Sequence, residues 1–503
     1  MESDSRPVPE QVPPLGAPAA SGGSPGGGFV QGLGLFDATM LVSGSMIGSG
    51  VFIVSAEVAR TVQSPFWLLV LWALSGLMTV IGALAYGELA GLFPKAGGQY
   101  VYLRESYGPL AGFLYGWTLF LVIQTGTIAA VAVAFGKFLG VFIPALGEKA
   151  ALFDTGLPEG CPFWRINSAQ VVGVALIAFL TAVNLRGIRL GKLVQNVFTT
   201  AKVASLLGVL AVGIMAPLQG SATANLGSGF WGNGAPGPGG ISGAFLLVLG
   251  AAMVGPLFSS DAWNNVTFAA AEVRNPRRNV ALALALGTGL VTFLYIGANL
   301  AYLIVLDFQE IAAAPEDRVA TAMLLKRIGP AGAKVMALAI LVSTFGCNNG
   351  MILAGARALW AMARHGLFFR GTGELNGRGV PGKALLCQGL VASVLALSGT
   401  YGKLLDFVIF AALLFYIATI LAVFVLRLRM PQAPRPYKAF GYPLVPALYI
   451  VLAAAVAVTL LISPTTWGSS LIGLGIVGAG IPVYFILRLN RKSTPEGIAP
   501  KEL

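Results

Sequence analysis

The chain has a single histidine, three cysteines and few charges: Lys, Arg, Asp and Glu make up only 10% of its 503 residues. Soluble domains carry about 25% of such residues, so water would not solvate a surface made from this chain. That scarcity excludes an ordinary soluble enzyme and, despite a net charge of +12, a nucleic-acid-binding protein. One His and three Cys also leave too few ligands for a structural zinc site or a disulfide framework. No G-x-x-x-x-G-K-[ST] loop is present to bind a driving nucleotide, and the lone His365 has no nucleophile near it in the sequence. An enzyme is therefore not expected, nor a cofactor or bound metal, and any transport would draw on gradients.

What fills the chain is apolar: 56% of it is hydrophobic, with a mean hydropathy of +0.80. Segments long enough to cross a ~30 Å hydrocarbon core fall at roughly 36–60, 66–93, 110–143, 168–187, 194–217, 241–270, 280–306, 333–363, 384–401, 404–426, 443–463 and 467–488. The expectation is an all-α integral membrane protein of twelve transmembrane helices. Residues 1–30, rich in Pro, Gly, Ser and Ala, read as a disordered tail rather than a signal peptide. Residues 31–490 form the membrane domain and 491–503 a second tail. An even number of spans puts both tails on one side. Arg186, Arg189, Lys192, Arg274, Arg277, Arg278, Arg364, Arg370, Arg427, Arg429 and Arg435 then gather on that side, whereas the opposite face holds a sparser set, so the positive-inside rule makes both termini cytoplasmic.

Two spans do not read as plain helices. The first contains Ser43-Gly44-Ser45-Met46-Ile47-Gly48-Ser49-Gly50, and the sixth contains Gly255-Pro256-Leu257-Phe258-Ser259-Ser260-Asp261. Glycine and serine weaken a helix, and proline cannot donate to its ladder. The two breaks lie five spans apart. A five-span unit repeated in sequence is inverted in the membrane, so spans 1–5 and 6–10 form two inverted repeats with their broken helices facing each other. Paired interrupted spans of this kind mark a transporter's binding site.

An unwound helix offers amide N–H groups at the start of its second half, together with the positive dipole end, and this suits a carboxylate. Gly48, Ser49 and Gly50 supply that turn. Carbonyls around Met46, Phe258 and Ser259 suit an ammonium group, so the pair describes the common part of an α-amino acid, with Phe258 placed to cover it. Asp261, an acid at bilayer depth, reads as a cap of the second half-helix of span six or as a contact to substrate or proton. Lys202, about two turns into the fifth span, either snorkels or supplies a fixed cation beside span one. Lys137 reads as snorkelling outward, Glu88 and Glu272 as helix-end anchors, and Cys347 and Cys387 as packing residues.

Five ordered motifs carry a resemblance. Gly48-Ser49-Gly50-Val51-Phe52 is followed by Phe93-Pro94-Lys95-Ala96-Gly97-Gly98-Gln99-Tyr100 with Glu105-Ser106-Tyr107-Gly108-Pro109. Next come Arg189-Leu190-Gly191-Lys192-Leu193-Val194-Gln195-Asn196, then Trp263-Asn264 with Glu272-Val273-Arg274-Asn275-Pro276-Arg277-Arg278-Asn279, and last Ala363-Arg364-His365-Gly366-Leu367. From about Leu35 to Leu487 the chain resembles the L-type amino acid transporter family of the amino acid, polyamine and organocation superfamily. The resemblance implies the leucine-transporter fold and sodium-independent exchange of amino acids, most readily neutral ones, at a plasma membrane. It implies Ser49 and Gly50 as the carboxylate-binding turn, Phe258 as an aromatic proximal gate, and Lys202 in the region where sodium-coupled relatives bind a cation. Ser259 and Ser260 depart from the family's small-plus-aromatic pair. Animal members join a glycoprotein heavy chain through a Cys in the loop where Cys161 falls; the surrounding sequence is not a close match, so no such partner is expected. A proton-coupled or cationic amino acid carrier is the alternative that Asp261 favours, and a non-transporting amino acid sensor is the alternative of another class.

Overall fold

The computed structural model describes residues 29–154, 156, 163, 165–216, 220–232, 242–398, 401–464 and 466–492. The expectations for residues 1–28, Cys161 and 493–503 fall outside this set. Among the described residues, ten helices are long and apolar enough to cross a bilayer: Leu35–Val62, Pro65–Leu92, Pro109–Leu139, Ser168–Leu185, Ile188–Ile214, Pro276–Val305, Pro330–Arg364, Val408–Arg429, Leu444–Ile462 and Trp467–Arg488. Two shorter apolar helices, Gly243–Ser259 and Gly382–Leu397, stand at the sixth and ninth expected positions. Local chemistry sets several of the starts. Pro65, Pro109, Pro276 and Pro330 each open a helix where a missing N–H costs nothing. Asn167 and Gln170 cap each other at the head of Ser168–Leu185.

The expectation of an all-α chain needs one correction. Ala151–Asp154 and Arg165–Asn167 pair as a short antiparallel ladder in the loop before Ser168–Leu185, and Leu33 bridges Val273 in parallel. Both lie outside the apolar segments, where backbone groups not taken by a helix find partners in one another.

Both expected breaks are present. The first span divides into Leu35–Met46 and Gly50–Val62, with Ile47 extended between them. In the sixth, Gly243–Ser259 stops at Ser260, Ala262 sits at φ +63°, and only a short turn of helix, Asn265–Phe268, follows. A left-handed alanine costs about 1–3 kcal/mol and persists only where its surroundings impose it.

The half-helix Leu35–Met46 packs against Pro276–Val305, Ile188–Ile214 and Pro330–Arg364, so the break in span one is buried at the centre of the bundle. Two acids kept inside the body, Glu272 and Glu88, are paired. Arg357 forks onto Glu272 at 3.1 and 3.0 Å with both side chains 1% exposed. Glu88 accepts from Arg427 at 2.7 and 3.0 Å, from Arg435 at 3.2 Å and from the Ala439 amide at 2.7 Å. The anchor reading of both acids holds, with named partners. Lys137 is paired with Glu148 at 2.9 Å rather than merely extended into solvent.

Candidate functional site

The two breaks meet. A Cβ on Gly50 would stand 2.8 Å from the Ser259 Cβ and closer still to its Oγ, so only glycine lets the second half of span one approach the end of the sixth-span helix. Met46, Gly48, Ser49, Gly50, Phe258, Ser259 and Asp261 all line one small cavity of about 20 Å³, with Ser45, Thr127, Val131, Ala262 and Cys347 completing the wall. That volume admits about one water and falls far short of an amino acid. The seven residues chosen from the sequence are therefore brought together, in a closed arrangement with Phe258 only 8% exposed.

Around the break the backbone groups divide by type. Among the described residues, the amides of Gly48, Ser49 and Gly50 make no hydrogen bond within the protein. They are the free donors at the head of Gly50–Val62 that a carboxylate requires. The carbonyls at the end of Leu35–Met46 are, by contrast, all engaged. Lys202 Nζ, fully buried, donates to the Gly44 and Ile47 carbonyls at 2.6 and 2.8 Å. The Ser343 hydroxyl reaches the Gly48 carbonyl at 2.8 Å and the Cys347 thiol the Ser45 carbonyl at 3.0 Å. The Tyr295 hydroxyl stands 3.1 Å from the Met46 carbonyl and 3.0 Å from the Ser259 carbonyl, joining the two breaks.

Lys202 thus does not snorkel, nor does it line the cavity. It lies behind the break at a helix C-terminus, where a cation complements the dipole. Asp261 does not cap Asn265–Phe268, whose preceding residue Asn264 provides no side-chain cap either. Its carboxylate instead accepts the Tyr416 hydroxyl at 2.5 Å. Asp261 also borders two neighbouring cavities of about 10 and 20 Å³, which run toward Gln99, Gln124 and Asn264 on one side and toward Trp263 and Tyr449 on the other. Ser259 donates its hydroxyl back to the Gly255 carbonyl at 2.8 Å, while the same side chain packs against Gly50.

Tyr295, Ser343 and Tyr416 were not legible as site residues, and Cys347 read only as packing. Each is one polar group on a long apolar helix, and no spacing marks it. The surrounding pattern gives no sign that Tyr295 reaches Met46, 249 residues away.

Residues 33–481 match the family described as Amino acid permease. The chain belongs to that family. It is similar to the "b(0,+)-type amino acid transporter 1" of Homo sapiens, 30% identical over 458 residues that cover 90% of this chain and 87% of that protein. It is equally similar to the "Serine/threonine exchanger SteT" of Bacillus subtilis (strain 168), 30% identical over 469 residues, 93% of this chain and 99% of the relative. The human "Large neutral amino acids transporter small subunit 2" is 30% identical over 472 residues, 93% of this chain and 83% of its own length. These relatives agree with the L-type resemblance drawn from the motifs. A nearly all-helical membrane body with two facing broken spans fits the leucine-transporter fold of that superfamily.

Proposed function

We propose that this permease exchanges amino acids across the membrane by alternating access around the two breaks, with no sodium ion required. The observation that carries the reading is the row of unbonded amides at Gly48, Ser49 and Gly50 facing the Met46 and Ser259 carbonyls across one cavity. The carboxylate takes the amides. The ammonium takes lone pairs of the Met46 and Ser259 carbonyls, between which the single Tyr295 hydroxyl proton is shared. Phe258 moves aside to admit the substrate and closes over it. Lys202 holds the Gly44 and Ile47 carbonyls where a sodium ion would otherwise be needed. Relatives whose names denote transport of amino acids, and in one case exchange, support the reading. Its finer parts are part of the same proposal: twelve spans, both termini cytoplasmic, a plasma membrane, neutral substrates and no heavy-chain partner.

The test is efflux of preloaded labelled amino acid from proteoliposomes, with and without amino acid outside. Exchange predicts efflux that depends on external substrate and is indifferent to sodium; efflux that ignores external substrate would refute it.

A second reading has one observation in its favour. Asp261 carries a buried carboxylate beside three small cavities; it accepts the Tyr416 hydroxyl, and among the described residues no cation is paired with it. A cationic side chain would satisfy it. Competition by arginine that is strong in the wild type and at least about tenfold weaker in Asp261→Asn, with neutral substrates little changed, would select this reading.

A further inference from the structure

The two broken spans meet a second time, at the end of the bundle where span one begins; on the orientation proposed above this is the cytoplasmic end. Residues 29–34 precede span one and include Gly32 and Gly34, so they enter no helix and their backbone groups find partners elsewhere. Leu33, 2% exposed, bridges Val273 just past span six: its amide donates to the Glu272 carbonyl at 2.9 Å and its carbonyl accepts from the Arg274 amide at 2.8 Å. Lys192 Nζ, near the start of Ile188–Ile214, donates to the Gly32 carbonyl at 2.9 Å and to Asp37 at 3.0 Å. The Phe29 ring stands edge-on to Trp360 near the end of Pro330–Arg364, with centroids 4.6 Å apart. One short segment thus ties the ends of spans one and six to spans five and eight.

Beside this segment lies a cavity of about 520 Å³, within the roughly 300–1,000 Å³ typical of small-molecule sites. Phe29 belongs to its wall, together with Ala271 from the end of span six and Trp360, Ala361 and Arg364 from span eight. The cavity between the breaks, at about 20 Å³, shares none of these residues. Spans six and eight are joined at this end by two contacts of different kinds. One is the Glu272–Arg357 pair, both 1% exposed; the other, through the Leu33 bridge, is Phe29 on Trp360, a half-buried ring on a segment outside any helix. Separating a buried ion pair strands charge, whereas a ring contact parts at little cost, so Phe29 is the joint suited to repeated opening.

We propose that residues 29–34 are a strap that closes this cavity by seating Phe29 on Trp360, and that Phe29 must leave Trp360 for the cavity to open to the cytoplasm. Leu33 keeps the strap anchored to span six while Phe29, Val30 and Gln31 swing. That the strap regulates exchange rests on the alternating-access reading; that it closes the cavity does not.

Two arms test the strap. In a cysteine-free background, Ala271→Cys reports on the cavity, and the purified full chain in detergent is reacted with N-ethylmaleimide. Phe29→Ala is expected to speed labelling at least about tenfold, the effect of removing one modest contact, whereas Phe29→Tyr keeps the ring and labels like its parent. In the second arm, Phe29→Cys/Trp360→Cys is joined by a short bis-methanethiosulfonate in proteoliposomes. Exchange is expected to stop on cross-linking and to return with dithiothreitol. Equal labelling with and without Phe29→Ala, or undiminished exchange by cross-linked protein, would overturn the proposal. If labelling differs as expected but neither the parent nor the unlinked variant exchanges, the strap stands and the alternating-access reading falls.

Discussion

Lys202 shows how one side chain holds a break open. A buried ammonium is tolerated here because it faces the carbonyl end of Leu35–Met46 and makes two hydrogen bonds there, to Gly44 and Ile47. Replacing it with methionine keeps the volume and removes both bonds, orphaning the buried Gly44 carbonyl at about 1–3 kcal/mol and leaving the Ile47 carbonyl only the Ser343 hydroxyl at 3.2 Å. Lys202→Met is therefore expected to lower the melting temperature and to reduce exchange in proteoliposomes by more than about tenfold. An enzyme-like loss of substrate affinity alone, with turnover intact, would contradict the positioning role, because Lys202 does not touch the cavity.

At the scale of elements, the contact between the two broken spans is set by Gly50 and Ser259. Gly50→Ala drives a methyl into the Ser259 side chain, so the two half-helices must separate. The expected outcome is folded protein with exchange largely lost, and recovery of exchange when Ser259→Gly is added; failure of the second change to rescue would mean that Gly50 matters for its backbone freedom rather than for its contact with the Ser259 side chain. The inner end depends on a different joint. Glu272 and Arg357 are both 1% exposed, and breaking such a pair strands a buried charge at a cost of about 3–5 kcal/mol. Glu272→Gln should thus reduce the melting temperature more than Glu272→Leu combined with Arg357→Met, which leaves no charge behind.

For the whole molecule, the distribution of basic loops sets which face is inside. The basic loops predict that Gly377 and Leu152 lie on opposite sides. Gly377 has open space around it, and Leu152 is 60% exposed, so both tolerate a probe. In a cysteine-free background on intact cells, Leu152→Cys should react with a membrane-impermeant maleimide, whereas Gly377→Cys should react only after permeabilisation. The reverse pattern would invert the proposed orientation.

The sequence by itself determined the membrane class, the positions of the spans and the two breaks, because each depends on composition within a single segment: runs of apolar residues, Gly and Ser at 43–50, Gly255 and Pro256. It also named Met46, Gly48, Ser49, Gly50, Phe258, Ser259 and Asp261, since a helix that unwinds exposes its own neighbours. Tertiary structure alone decided what those groups meet. Tyr295 joining Met46 to Ser259, Ser343 and Cys347 on the span-one carbonyls, and Tyr416 on Asp261 are contacts between distant segments. Asp261 read as a helix cap because the local sequence allows one, yet a hydroxyl 155 residues away took its carboxylate. A buried polar group bonds to whatever partner the packing of other helices brings within about 3 Å, and one span's sequence carries no record of that neighbour.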